Sequence, residues 1–393
     1  MQFAQSDAPR RTASKILMRL LARGLAPSRL APSRLVPSRL AAAPRLLCAG
    51  QRCRSVSTLP VLDSPADVLS RFRAAVPERT AADTLAFYSS DLKGIVTDPS
   101  LMLLPVDDHG FHRGHAVFDT CNVEDGRAFG LTMHLDRLLR SALQARVLDS
   151  SGASEELREE LRDIVLQTIA ATGRRNSVFV RYWLTVGRGD FGIAPTNLTG
   201  GTSFYCVVHK DNHSADEPRG VTACVVPTPL KPPFLATMKT NNYLLNAHVA
   251  MDAHAMGCHL GVQLEDGYLA ESAVSTIAIV DQAGVLRSPP AERILDSTTW
   301  RRALVLAEPL LADGTLTAID SASHISEADL RSAREILNCG GGWLSPVIAL
   351  DGAPVSGGEP GPVFRALDPA IRADFVHADM SEPVPYNYKV LRS

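Results

Sequence analysis

The stretch Met-Lys-Thr-Asn-Asn-Tyr-Leu, residues 238–244, decides how this chain is read. It sets Lys239 between a strand-like run and a helix that the spacing predicts over 241–256, stopped by Gly257. A lysine at such a junction can present its amine at a partly buried place. Desolvation and neighbouring cations there lower its pKa and free the amine for covalent chemistry. Alone, Lys239 is one of six lysines, and a solvated surface position is the ordinary outcome.

Three further segments gain meaning beside it. Downstream, Leu260–Leu264 and Tyr268–Val280 read as paired strands joined by an Asp266-Gly267 turn. Within them Glu271, in Leu-Ala-Glu-Ser-Ala, stands where a carboxylate could keep an aromatic ring nitrogen protonated; an exposed strand-end glutamate is the common alternative. Ile-Leu-Asp-Ser-Thr-Thr, 294–299, opens a helix that runs through Leu306. Its hydroxyls and free N–H groups suit a phosphate, and equally an ordinary N-cap. In His-Leu-Asp-Arg-Leu-Leu-Arg-Ser-Ala, 134–142, Arg137 could donate to a phosphate or lie on the helix's polar face.

The rest of the chain organises around these pieces. Residues 1–58 hold ten Arg, one Lys and a single acid, Asp7, with a repeated Pro-Ser-Arg-Leu. Arginine-rich, acid-poor N-termini are the pattern of organellar transit peptides; a disordered tail is the other reading. Arginine outnumbers serine and threonine there, which leans the expectation to the mitochondrion over the plastid. A helical lead-in is expected over 59–94, with helices at 64–76 and 81–88. Leu101–Val106 reads as a short strand, and 117–123 with 128–132 as a hairpin. Helices follow at 134–147 and 153–171, then strands at 177–186, 203–209 and 221–226. The expected layout is α/β (α+β): a small domain over 95–210, a connector at 211–219, a larger domain over 220–385 and a tail at 386–393.

The bulk numbers exclude several functions. Forty basic against 42 acidic residues leave a formal net charge of -2, which gives no electrostatic case for nucleic acid. No apolar run reaches the roughly 18–20 residues that cross a bilayer, so no membrane partner is expected. The seven cysteines form no Cys-x-x-Cys pair, and reduced thiols are expected. His109, His112 and His115 recur at a spacing of three, but no accompanying ligand makes a recognised metal site, and none is assigned. Gly340–Gly342 fits either a phosphate cradle or a tight turn.

Order and spacing together carry a resemblance. The chain resembles the class IV aminotransferases of fold type IV, which include D-amino-acid aminotransferases, branched-chain aminotransferases and aminodeoxychorismate lyases. The matching pieces are residues 113–120, 134–142, 181–189, 238–244, 257–272, 288–299 and 345–352. Residues 106–115 and 384–386 look most like the plant-type D-amino-acid members.

This resemblance implies a two-domain homodimeric enzyme that uses pyridoxal 5′-phosphate (PLP). It implies that Lys239 forms the Schiff base and shuttles the proton, and that Glu271 pairs with the pyridine nitrogen. Arg137, Thr299 and the amides near Thr298 would hold the phosphate, with Ser275 and Thr276 beside it. Arg188 would help to hold the substrate carboxylate. The departures are Phe118 for a tyrosine, Ser275-Thr276 for a Ser-Asn pair, Ser272 for a glycine, and Ser297 and Trp300 for a glycine and an arginine. The expected function is ping-pong transamination between an amino acid, D-alanine foremost, and a 2-oxo acid. Branched-chain L-amino-acid transamination, lyase chemistry giving p-aminobenzoate, and a non-catalytic binding protein are the alternatives.

Overall fold

The computed structural model describes residues 59–211 and 220–388. The segment expected to be a transit peptide, the connector beyond Asp211 and the last residues of the tail lie outside the described residues. Leu62 onward belongs to one compact unit.

Six strands precede residue 212: β1 Thr84–Ser89, β2 Gly94–Val96, β3 Ala116–Glu124, β4 Arg127–Phe129, β5 Val178–Thr185 and β6 Ser203–Lys210. Nine follow: β7 Val221–Val225, β8 Leu260–Glu265, β9 Tyr268–Ser272, β10 Thr276–Val280, β11 Val285–Arg287, β12 Ala318–Asp320, β13 Glu335–Gly340, β14 Trp343–Leu350 and β15 Ala353–Pro354. A last strand, β16, spans Ser381–Pro383.

The first sheet is antiparallel, in the order β16-β4-β3-β5-β6-β1-β2. Side chains alternate across it. Val117, Val180, Tyr182, Leu184 and Cys206 pack with Leu135, Leu138, Val165 and Ile169 from the helices Leu131–Gln144 and Glu155–Ala170. Burying each large aliphatic side chain in that layer contributes about 1.5–3 kcal/mol. Phe118, Trp183 and Tyr205 lie opposite one another on adjacent strands, on the alternate face. That face looks toward the site.

The second sheet runs β12-β11-β10-β13-β14-β7-β8-β9, with β15 on β14. It mixes parallel pairs (β7 with β8 and β14, β11 with β12) with antiparallel ones. Ala278, Val280, Leu337 and Cys339 face the helices Thr298–Ala307 and Pro362–Asp374. Ile277, Ile279 and Ile336 face the other way into a second core. Among the described residues no helix is long and apolar enough to cross a membrane.

Several expectations change. The helix expected at 81–88 ends at Asp83 and gives way to β1, because Ala86 and Phe87 bury by joining β6. The 59–94 lead-in therefore donates a strand to the first sheet. Residues 101–106 form no strand; Pro99 precedes them and Pro105 lies within them, neither able to donate to a ladder, and Leu103, Leu104 and Val106 stay exposed. The 268–280 strand breaks at Ala273–Ser275, where the Ser272 N–H donates to the Ser275 carbonyl. Glu271 thus sits on β9 and Thr276 on β10. The 220–385 block is not self-contained either, since β16 pairs with β4. Tyr386, placed in the tail, packs on the first core under the Arg175 guanidinium.

Candidate active site

Lys239 is held by its main chain before its side chain matters. Its carbonyl accepts from Phe118 N–H at 2.9 Å, and its own N–H donates to Ser141 Oγ at 3.3 Å. Asn241 N–H donates to the Ala116 carbonyl, so residues 239–241 run beside β3. This is why the following helix begins at Leu244 rather than at 241. Lys239 Nζ reaches Tyr243 Oη at 3.4 Å and lies 4.8 Å from the Phe118 ring centroid. Phe118 and Tyr243 meet edge to face at 5.0 Å. Burial pushes the Lys239 amine down to about 8; Asp119 and Glu271 oppose the shift, while Arg137 and Arg181 add to it.

Glu271 is buried at the end of β9 and accepts from Leu295 N–H at 3.2 Å. Burial raises its pKa, against the pull of Lys231, the Leu295 amide and Lys239. Lys231 is itself buried, with Nζ 5.3 Å from the Tyr243 ring centroid. Burial lowers its pKa and Glu271 opposes that. Sequence reasoning missed Lys231 and Tyr243. Tyr243 stood inside the quoted motif, whereas the Lys-Pro-Pro at 231 signalled only a change of texture.

Arg137 does not lie on a solvated face. It is buried, and its Nε and Nη2 donate to Asp119 Oδ2 and Oδ1, each at 2.8 Å. Its Nη1 donates to the Asp296 carbonyl at 3.0 Å, which ties it to the segment opening the Thr298–Ala307 helix. A cavity of about 250 Å³ opens beside it, lined by Ser141, Thr237, Ile294 and Asp296 among others.

Thr298 and Thr299 are buried in the helix's first turn, and Ser297 Oγ caps it by accepting from Trp300 N–H at 3.2 Å. Thr299 Oγ1 accepts from Gly342 N–H at 3.0 Å. Ser275 Oγ donates to Asn338 Oδ1 at 2.5 Å, and Thr276 is buried opposite Cys339. Gly340–Gly342 is a tight turn between β13 and β14. A Cβ on Gly340 would fall 2.8 Å from Ser275 Cβ, and Gly342 has φ +85°. Only glycines let the turn close on both neighbours. It thereby draws the 275–276 and 298–299 segments together.

The departures noted in the sequence acquire structural reasons. Ser297 is an N-cap. Trp300 is core, its indole Nε1 donating to Ser288 Oγ at 2.9 Å. Phe118 gives the amine an apolar wall.

The structure does not bring Arg188 to this group. Its Nε donates to Asp107 at 3.0 Å and its Nη1 to Asp91 at 3.4 Å. A second cation that acts on the Lys239 amine, besides Arg137, is Arg181, on the open face of β5. Its Nε donates to Thr120 Oγ1 at 3.0 Å, and its guanidinium stands 5.7 Å from the Phe118 centroid and 5.5 Å from that of Phe179. Sequence reasoning missed it inside a matching motif, because one strand arginine among several carries no signal until the register is known.

A desolvated lysine, a buried carboxylate near it, and an arginine with hydroxyl-bearing turns form one centre in a two-sheet α/β fold. That set suits an aldehyde cofactor carrying a ring nitrogen and a phosphate. The family model described as amino-transferase class IV matches residues 116–349. A relative named "D-amino-acid transaminase, chloroplastic", from Arabidopsis thaliana, is 37% identical over 325 residues, 82% of this chain and 83% of its own length. A bifunctional aminodeoxychorismate lyase / D-amino acid transaminase of Mycobacterium tuberculosis is 30% identical over 226 residues, 53% of this chain and 74% of its own. The branched-chain aminotransferase of Thermoproteus uzoniensis superposes with a TM-score of 0.65 at 22% identity, covering 77% of this chain and 99% of its own. The chain belongs to the class IV aminotransferases, and so to the enzymes that use PLP.

Proposed function

We propose that this enzyme is a D-amino-acid transaminase whose centre is Lys239, with Glu271, Arg137, Ser275, Thr276, Thr298 and Thr299 holding the cofactor. The observation that carries the centre is the Lys239 amine, desolvated against Phe118 and bonded to Tyr243 Oη. The 37% identity to a relative named as a D-amino-acid transaminase supports the substrate class.

Bound PLP supplies an aldehyde to receive the amino group and a ring that draws electrons from the substrate α-carbon. The Lys239 amine would be the base that moves the proton at that carbon. Glu271, buried at the end of β9, would hold a proton on the ring nitrogen. Arg137 and the two threonines would hold the phosphate end. Phe118 excludes water from the amine. Arg181, the exposed cation next to Phe118, takes the carboxylate of the amino or 2-oxo acid.

We also infer a homodimer. Val106, Phe111, Phe191 and Ile193 are exposed on segments that the Arg113 hydrogen bonds join, beside Arg188. A second copy would cover them and complete the substrate side. The arginine-rich first 58 residues support import into an organelle, and the likeness to a chloroplastic transaminase favours the plastid over the mitochondrion. A reporter fused to residues 1–60 should enter plastids; a diffuse signal rejects import.

The substrate test is a half-reaction screen. The PLP-loaded enzyme is mixed with single amino acids, and conversion to the pyridoxamine form is followed by absorbance. D-Alanine should convert it. Conversion by L-valine or L-leucine alone gives the branched-chain reading, and p-aminobenzoate formed from aminodeoxychorismate gives the lyase.

A further inference from the structure

Asp119 has no role in the account so far, yet it is among the most buried charges in the chain. It lies on the helix-covered face of β3, in register with Tyr182, with no exposed surface. Its oxygens accept from Arg137 Nε and Nη2 and from Thr120 N–H at 2.8 Å, and His134 Nδ1 lies 3.0 Å from Oδ1 and 3.2 Å from Arg137 Nη2. Burial works to raise its pKa, but Arg137 and His134 outweigh that and hold the carboxyl far below the usual range. A buried carboxylate with this many donors stays charged through the physiological range.

Its position matters more than its bonds. Phe118, the preceding residue, donates to the Lys239 carbonyl; Ser141, one turn along the helix from Arg137, accepts from the Lys239 N–H. Strand and helix thus hold the Lys239 main chain from two sides, and Asp119 is a charged link between them beside the apolar packing of Val117 and Cys121 on Leu135 and Leu138. The charged and titratable groups around the amine are Asp119, His134 and Arg137 on the helix side, then Arg181, Glu271 and Tyr243, with Lys231 against the same Tyr243 ring. Of the two carboxylates, Asp119 is the one fixed at both oxygens by a guanidinium.

We propose that Asp119 is the positioning residue of this centre: it locks the strand and helix that hold Lys239, fixes the Arg137 guanidinium, and supplies the standing negative charge behind the Lys239 amine. This rests on the reading of Lys239 as the cofactor lysine. Removing the charge while keeping the shape has a distinctive consequence. The ammonium loses its chief attraction, so the amine becomes neutral at lower pH, while the phosphate grip loosens. A merely structural role has the opposite sign: a loosened site lets water in and returns the lysine toward about 10.4.

The experiment compares the cofactor-free full chain with Asp119→Asn. Lys239 is labelled with trinitrobenzenesulfonate across a pH series and quantified by peptide mass, and PLP binding is titrated separately. The expected result is a labelling midpoint lowered by roughly one pH unit and PLP affinity weakened about tenfold or more. A midpoint that is unchanged, or that moves up, overturns the proposal. Arg137→Lys keeps every charge but cannot bond both Asp119 oxygens at once. It should weaken PLP binding and leave the midpoint in place; unchanged affinity overturns the claim that Asp119 fixes the arginine. If Asp119→Asn does not fold, this second variant still decides that point. Failure of borohydride to attach PLP to wild-type Lys239 would sink the cofactor reading instead, and the midpoint comparison does not depend on it.

Discussion

Phe118 holds Lys239 twice: its main-chain N–H donates to the lysine carbonyl at 2.9 Å, and its ring centroid lies 4.8 Å from the lysine amine. One residue therefore fixes where the lysine starts and what its end group faces. The amine is dry because the strand that anchors it also walls it.

Replacing Lys239 by Ala should abolish turnover and the visible absorbance of the covalently held cofactor. Borohydride treatment followed by peptide mapping should find PLP on residue 239 in the wild type and on no single site in the variant. Full activity in the variant would remove the assignment. Capture at Lys231, the other buried lysine against Tyr243, would show that the pocket outlives its lysine.

The pH at which the amine acts follows from its environment. The neutral amine attacks, and the folded protein brings its pKa down to about 8 from the ordinary 10.5. The rate at which cofactor-free protein captures PLP should climb with pH and reach half its maximum near 8. In the unfolded chain the lysine keeps its ordinary value. Between the two the unfolded state binds more protons, so this group's contribution to stability rises with pH across that window. Stopped-flow capture rates with a midpoint near 10 would mean a solvated amine.

Glu271→Gln should slow turnover by about 10²-fold, equivalent to about 2.7 kcal/mol of barrier, with PLP still bound. An amide can hydrogen-bond to a ring nitrogen but cannot hold a proton there by charge. An unaltered rate would place the carboxylate elsewhere.

Arg181→Ala and Arg188→Ala should separate cleanly. The first removes a cation near the amine, so KM for amino and 2-oxo acids should rise about tenfold or more, and the Lys239 labelling midpoint should rise as well. The second breaks half-exposed pairs with Asp91 and Asp107, and its cost in urea denaturation should stay within about 1 kcal/mol. If Arg188→Ala alone raises KM, the carboxylate is held by Arg188, reaching in from the second copy.

Much of this was legible in the chain. The helices carrying Arg137 and Thr299 follow from apolar spacing and caps, and the Asp125-Gly126 and Asp266-Gly267 turns from residues that accept positive φ. Lys239 and Glu271 stood out through ordered motifs. What escaped depends on contacts between segments far apart in sequence. Thr84–Tyr88 reads as helix until β6 is available to pair with it. Arg181 and Asp119 take opposite faces of one sheet, and only the register of β3 with β5 tells which faces the amine and which lies under the helices. Lys231 was hidden because its meaning is a neighbour, Glu271, forty residues on.

The pairing of β16 with β4 has a bearing on how the chain is made. The first sheet gathers residues 84–210 and then waits for 381–383, so the whole second sheet is spelled out before the first can close its edge. During synthesis the β4 edge, with Ala128 and Phe129, stays open until the ribosome has passed residue 383. A polypeptide with this order of parts completes its first sheet only once residues 381–383 have emerged, after every strand of the second sheet.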